Sequence, residues 1–406
     1  MSDKLSMNLY NKEESIAACG VNERPLNVVF IADLPVTGGA TNSLIELTSA
    51  LHELYGVNCT VCTHQKSKLN DRLDANGIKS VVTGHGPFLA GGSQFKLKAL
   101  YSVVVNFWRW RKAINSSICS AEKEIDFSKV DLIHSNLPRN DLGILLAAKY
   151  DIPHICHFRE SSFEDFDCIS LRRSPAKYIS DNSAAMIAVS NYVKSNWVNR
   201  GADPDKVQVI YNGVDTAGIK RRDSPTVNRP LKAIFLGGYT DAKGIRDVLE
   251  AAAELPKNVS SAIQIDIFGY GNRSRAKSFV KRHKLEQFVH LNGALENVKE
   301  SLAAYDIGLA CSRAEAFGRI ILEYRAAGLT IVAANRGAFP ELINNGIDGF
   351  LYDSGGHGDG LASVLTKISN GVTLPDYGKA VAMRTRGPKE VAAEVYALYK
   401  RILDAE

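Results

Sequence analysis

Residues 307–333 read IGLACSRAEAFGRIILEYRAAGLTIVA. A short apolar run, Ile307 to Ala310, meets a polar loop. A helical pattern follows from about Phe317, and a second apolar run, Thr330 to Ala333, closes the unit. Short continuous apolar runs separated by a helix are the signature of strands buried on both faces of a parallel sheet. Upstream, Ala233 to Gly237, Ile263 to Phe268 and Val289 to Leu291 repeat the rhythm. It starts earlier still, with Leu26 to Ala32, a helix over Asn42 to Leu54, and Cys59 to Thr63. Leu132 to His134, His154 to Phe158, Ala185 to Val189 and Val207 to Ile210 continue that first series. The fold class expected is therefore α/β, with two doubly wound Rossmann-like domains.

A polar stretch, TAGIKRRDSPTVNRP, separates the two series. Its two prolines and the cluster Lys220, Arg221 and Arg222 read as a linker over 216–230. The expected division is a loose tail over 1–23, a first domain over 24–215 and a second over 231–388. A last helix, Lys389 to Leu403 within 389–406, closes the chain and joins the first domain.

With 406 residues, 45% hydrophobic and 23% charged, the chain is long enough for two cored domains. The formal net charge of +5 gives no bulk positive field, so nucleic acid is not an expected partner. Lys4, Lys12, Glu13 and Glu14 interrupt the first twenty residues, which read as neither signal peptide nor anchor. The most apolar later stretch, Leu97 to Trp110, is too short and too polar to span a bilayer. A cytoplasmic location is expected, which also sets aside the sequons at Asn58, Asn115, Asn258 and Asn272. Cys59 and Cys62 share a strand but point to opposite faces at a three-residue offset, against a redox or zinc pair.

Ligands of open parallel sheets sit beyond the carboxyl ends of the strands. Gly38 and Gly39 follow the first strand and precede a helix, where amide N–H groups can face an anion or simply make a turn. Gly269-Tyr270-Gly271 ends another strand, but Ser274 stands at the third glycine position, so the dinucleotide fingerprint is incomplete. Lys243, at the end of GGYTDAKG (237–244), precedes a helix and can face phosphates or only solvent. In the 307–333 unit, a helix starting near Phe317 or Gly318 leaves Glu315 in the preceding loop and puts Glu323 in the second turn. The N–H groups of Phe317, Gly318 and Arg319 would be first-turn donors. Two carboxylates lining one crevice suit polyol hydroxyls.

That segment resembles the E-x7-E signature of family 4 retaining GT-B glycosyltransferases, in the branch reading E-A-F-G-R. Gly38-Gly39-Ala40, Tyr211 to Asp215 as N-G-V-D, Lys243-Gly244, Gly337 to Glu341 as G-x-x-P-E, and Gly346 to Leu351 follow in the family's order. The likeness spans roughly residues 26 to 403. It implies a GT-B fold whose two domains face a central cleft, with a nucleoside-diphosphate sugar of UDP or GDP type as donor substrate and no cofactor or metal. Glu323 would hold the ribose hydroxyls, Glu315 the donor-sugar hydroxyls and Lys243 the leaving diphosphate. Gly38, Gly39, Gly238, Gly269, Phe317, Gly318 and Arg319 would complete the donor site. His157, in His157-Phe158-Arg159-Glu160, would stand near the reacting sugar, with Arg159 and Glu160 as accessory or acceptor residues. Read from the residues alone, His157 is a strand-end histidine satisfied by backbone.

One departure concerns the family's frequent G-R, where this chain has Gly237-Gly238. A second diphosphate cation would then come from Arg319 or Arg159. Asp165-Phe166-Asp167 imitates a D-x-D metal motif of a different glycosyltransferase fold and reads as a solvated acidic loop. The acceptor is expected to be a sugar or a lipid-linked sugar, in bacterial surface polysaccharide or glycoconjugate synthesis. Residues 93–121 carry Lys96, Lys98, Arg109, Arg111 and Lys112 among aromatics with no acidic residue. That segment is either an ordinary helix with one buried face or a contact with an anionic membrane. The rival readings are a GT-B sugar-nucleotide epimerase and a catalytically dead nucleotide-sugar-binding subunit.

Overall fold

The computed structural model describes residues 24–32, 38–91, 96–166, 168–170, 172–222, 230–354, 360–372 and 386–405. The expected tail, residues 223–229 of the linker and Asp167 of the D-x-D lie outside them.

The first half supplies β1 (Asn27–Ile31), β2 (Asn58–Thr63), β3 (Lys79–Val82), β4 (Leu89–Gly91), β5 (Leu132–Ser135), β6 (His154–Phe158), β7 (Cys168–Ser170), β8 (Ala185–Ala188) and β9 (Val207–Val209). The second half supplies β10 (Leu231–Phe235), β11 (Ile263–Ile267), β12 (Val289–Leu291), β13 (Ile307–Ala310), β14 (Thr330–Ala334) and β15 (Phe350–Tyr352). Two main sheets form, in the orders β3-β2-β1-β5-β6-β8-β9 and β12-β11-β10-β13-β14-β15. Every pairing within them is parallel. Each order reverses once, between β1 and β5 and between β10 and β13, and ligands bind at such switch points in doubly wound sheets. The two Rossmann-like α/β domains expected from the strand rhythm are present.

Three short elements escaped the sequence reading: β3, β15 and the antiparallel ribbon β4–β7. Each strand has three or four residues.

Helices cover both faces. α1 (Gly39–Tyr55) buries Leu44, Leu47 and Leu51 in one cluster with Val395 and Leu398 of the C-terminal helix. The amphipathic α2 (Lys96–Glu124) runs along the first domain. α3 (Asn191–Asn199) follows β8 and begins behind Ser190, whose Oγ accepts from Val193 N–H. In the second domain, α4 (Arg319–Ala326) joins β13 to β14, and the short α5 (Phe339–Leu342) follows β14. The last helix, α6 (Pro388–Leu403), packs on α1, with Tyr396 stacked on Tyr55 at 4.0 Å between centroids. Cys59 and Cys62 are buried in the clusters on opposite faces of β2 and carry free thiols.

Trp197 fixes α3 to the sheet. Its ring stacks on Phe158 of β6 at 4.4 Å, and its Nε1–H donates to the Glu160 carbonyl at 2.9 Å. It is fully buried. Trp197→Ala should therefore cost about 3–5 kcal/mol in chemical unfolding, and a loss under about 1 kcal/mol would remove it from the core that sets the end of β6.

Candidate functional site

The loops at the carboxyl edge of the second sheet build one half of the site. Thr240 ends the extended segment after β10, and a single turn, Asp241–Lys243, presents Lys243. Its ammonium lies 3.2 Å from the Glu315 carboxylate in the loop after β13. Lys243 is half exposed and Glu315 less so, which leaves the pair open to solvent on one side. The Glu315 loop is anchored from behind, since Ala338 N–H donates to its carbonyl at 2.9 Å.

α4 starts at Arg319, so Glu323 falls in its second turn, as the spacing required. Gly318 precedes it at φ +95, and a Cβ there would stand 2.8 Å from the Phe339 ring. Only glycine meets both conditions cheaply. Phe317 is buried beside Tyr211, with centroids 6.2 Å apart. It is a wedge under the loop. No side chain caps this helix start. Glu323 is partly buried, and desolvation raises its carboxyl above the ordinary range. The Arg319 charge opposes the rise and Glu46 adds to it.

Arg319 itself departs from expectation. Its guanidinium crosses to the first domain and grips Glu46 of α1 bidentately at 2.8 and 2.7 Å. It also donates to Ser43 Oγ at 2.8 Å and to the Gly213 carbonyl at 3.1 Å. Glu46, Ser43 and Gly213 occupy it, and it ties the domains together here. Gly39, at the start of α1, lies against it: a Cβ there would meet Arg319 Cδ at 3.3 Å. Gly38 is the extended residue before α1 and has open space around it.

The missing arginine after β10 has a steric basis. Gly238 sits at φ +72, and a Cβ would come within 2.5 Å of the Tyr270 carbonyl oxygen. Gly269 is equally confined, since its Cβ would meet Gly238 Cα at 2.5 Å. Gly238 N–H bonds Phe268 O at 2.9 Å and Tyr239 N–H bonds Tyr270 O at 3.0 Å. The two glycine loops are thus zipped backbone to backbone.

On the first domain, Arg159 is buried at the end of β6. Its Nε donates to Asn136 Oδ1 at 2.7 Å and its Nη1 to Asn212 Oδ1 at 2.8 Å, while Nη2 has no partner among the described residues. Burial first, then the nearby Arg319 charge, pull its guanidinium down to about 9. Glu160 is held by Arg139, at 2.8 Å for Nη2 to Oε2, and by Ser162 Oγ at 2.7 Å. That makes it a buried structural carboxylate and not an open acceptor contact.

His157 is fully enclosed and is not in the open Lys243–Glu315 group. The backbone satisfaction expected of a strand-end histidine is also absent. Its Nδ1 faces His134 Nε2 at 3.2 Å, while Nε2 is buried without a partner among the described residues.

Four contributors escaped the sequence reading. Glu46 answers Arg319, and His134 and Tyr399 stand behind His157. Glu341 accepts from Asn191 N–H at 2.8 Å, Tyr192 N–H at 2.7 Å and the Tyr211 hydroxyl at 2.8 Å, capping α3 from the other domain. An acidic group at a helix N-terminus is a recognisable pattern. Here cap and helix are 150 positions apart, which hides it. No group of three or more His, Cys, Asp or Glu side chains suited to a metal occurs among the described residues.

Two facing Rossmann-like domains, with carboxylates, a lysine and glycine loops at their switch points, define the GT-B class of sugar-transferring enzymes. Residues 37–217 match the family described as Glycosyltransferase Family 4, and 218–379 match Glycosyl transferases group 1. The N-acetylglucosaminyltransferase GPI3 subunit of Saccharomyces cerevisiae, which acts on phosphatidylinositol by its name, is 32% identical over 340 residues, 79% of this chain and 70% of that protein. An uncharacterized glycosyltransferase of Methanocaldococcus jannaschii is 24% identical over 386 residues, 91% of this chain and 96% of the other. The fold is shared with Anabaena HepE in complex with UDP, at a TM-score of 0.71 and 18% identity over 93% of this chain and 100% of that one. The chain belongs to glycosyltransferase family 4 and is a glycosyltransferase.

Glu323 carries a testable cost. A carboxyl raised in the folded state stabilises only below its unfolded value and is a growing liability as pH rises through the folded one. Glu323→Gln should therefore gain melting temperature relative to the native chain as pH goes from 5 to 8, without ligand. A relative loss over that interval would contradict the desolvation of this group.

Proposed function

We propose that the chain transfers a sugar from a nucleoside-diphosphate sugar to an acceptor hydroxyl with retention of anomeric configuration, and that no metal takes part. The contact between Lys243 and Glu315 carries the reading, because it brings a cation and a hydrogen-bond acceptor to one solvent-open point at a switch point. A bound donor would part them, the ammonium turning to the diphosphate and the carboxylate to sugar hydroxyls. Glu323 would take the ribose hydroxyls, with the N–H groups of Phe317 and Gly318 and the Gly38-Gly39 turn contributing dipoles.

In the transfer step the anomeric C–O bond breaks and its electron pair leaves with the phosphate. The acceptor oxygen bonds to the same face, and its proton passes to the departing phosphate oxygen. Negative charge growing on the leaving group is met by Lys243, already in place before the reaction. With Arg319 engaged by Glu46, the second positive group falls to Arg159, whose Nη2 lacks a partner among the described residues. UDP is the favoured nucleotide, supported by the HepE complexes with UDP and UDP-glucose. A surface polysaccharide or glycoconjugate is the favoured product, supported by relatives named for amylovoran and colanic acid biosynthesis.

Among UDP- and GDP-sugars, one donor at a hundredfold excess over its dissociation constant should stabilise the native chain by about 2.7 kcal/mol. The shift should shrink in Glu323→Ala, and transfer should vanish in Glu315→Ala. Absence of any nucleotide-sugar shift would end this reading, and full activity in Glu315→Ala would end the role given to that carboxylate.

The exposed face of α2 suits an anionic membrane surface, from which a lipid-linked acceptor would be reached at the cytoplasmic side. Tyr101, Val104 and Trp108 lie 73%, 50% and 58% exposed at helical spacing, with Arg109, Arg111 and Lys112 beside them. No helix among the described residues is long and apolar enough to cross a bilayer. Changing the three basic residues to Ser should weaken sedimentation with phosphatidylserine vesicles by roughly 1 kcal/mol per residue. Binding that survives the triple change undiminished would leave α2 an ordinary surface helix.

A further inference from the structure

A line of three polar side chains runs through the first domain from α6 to the end of β6. The Tyr399 hydroxyl lies 2.5 Å from His134 Nδ1, and His134 Nε2 lies 3.2 Å from His157 Nδ1. All three side chains are fully buried. The His134 and His157 ring centroids lie 5.4 Å apart, and Phe30 stacks on His134 at 4.8 Å, so the buried His134 ring is held in place.

Counting protons gives the line a direction. Burial, and then the Arg159 charge, hold both imidazoles well below their ordinary value, so each ring is neutral with a single N–H. Burial keeps the Tyr399 phenol protonated. If the hydroxyl donates to His134 Nδ1, the His134 proton must sit on Nε2, where it donates to His157 Nδ1. The His157 proton then sits on Nε2. The opposite direction would make the hydroxyl an acceptor, leaving its own proton buried with no acceptor recorded among the described residues. The first direction satisfies every group except one, the His157 Nε2–H, which has no partner among the described residues. Buried polar groups are rarely left so without a purpose.

We propose that Tyr399 and His134 are positioning residues that lock His157 as its Nε2–H tautomer, so that its one uncommitted ring group is a hydrogen-bond donor and not a base. The effect expected on transfer rests on the sugar-transfer reading above; the tautomer does not. His134 acts only through His157, and Tyr399 only through His134. The C-terminal helix thereby contributes to the chemistry from behind the sheet.

The test reads the tautomer directly, in full-length protein labelled with 15N at histidine, by long-range 1H–15N correlation. Signals are assigned with His157→Asn and His134→Gln. Both His134 and His157 should appear as Nε2–H forms in the native chain without any ligand. Tyr399→Phe keeps the ring but removes the hydroxyl, so His134 should lose its fixed form and part of His157 should move to Nδ1–H. In the transfer assay His134→Leu should lower kcat about tenfold, the scale of one hydrogen bond. His134→Gln, whose amide N–H can still donate to His157 Nδ1, should recover most of it. An Nδ1–H form of His157 in the native chain would overturn the proposal, as would a Tyr399→Phe spectrum with both tautomers unchanged. Equal kcat in the Leu and Gln variants would do the same. Because the spectra need no substrate, an expected tautomer in a chain that transfers no sugar would count against the sugar-transfer reading alone.

Discussion

The ion pair between Arg319 and Glu46 fixes how the two domains meet at one point of the cleft. It joins the first residue of α4 to the helix after β1. Two further ties flank it. The Ser190 hydroxyl donates to the Ala316 carbonyl at 2.6 Å, and Glu341 caps α3. A partly buried pair of this kind is weak evidence for stability, because desolvation offsets much of the attraction. Its value is geometric. Removing either partner would leave a charge uncompensated beside Glu323, whose carboxyl already feels both.

This division of labour separates structure from chemistry along one short segment. Within Glu315 to Glu323, Phe317 is a buried wedge, Gly318 a forced turn and Arg319 a tie to the opposite domain. Glu315, paired with Lys243, and Glu323 are the carboxylates of the segment. Across the cleft the same sorting applies, since Glu160 is spent on Arg139 whereas Arg159 keeps one amino group uncommitted. Carboxylates and cations that look interchangeable in the sequence are distinguished by which partner holds them and how exposed the pair is.

Local patterns carried most of the fold into view. Strand rhythm showed both sheets, and the helical pattern after β13 placed the start of α4 near Phe317 or Gly318, one or two residues before Arg319. What escaped was long-range. Arg319 and Glu46 are 273 positions apart, and His134 and Tyr399 are 265 apart. No periodicity links such residues, so Arg319 read as a helix-start cation and His134 as part of a strand. The edge strands β3 and β15 were missed as well. Glu341 stood in plain view inside a familiar run, yet its duty emerges only when α3 arrives from the other domain.

The backbone contact between Gly238 and Gly269 bears on how this chain can change over time. A Cβ at 269 would strike Gly238, and one at 238 would strike the Tyr270 carbonyl oxygen. The two turns therefore constrain each other: a side chain could enter at 238 only together with a rebuilt 269–271 turn.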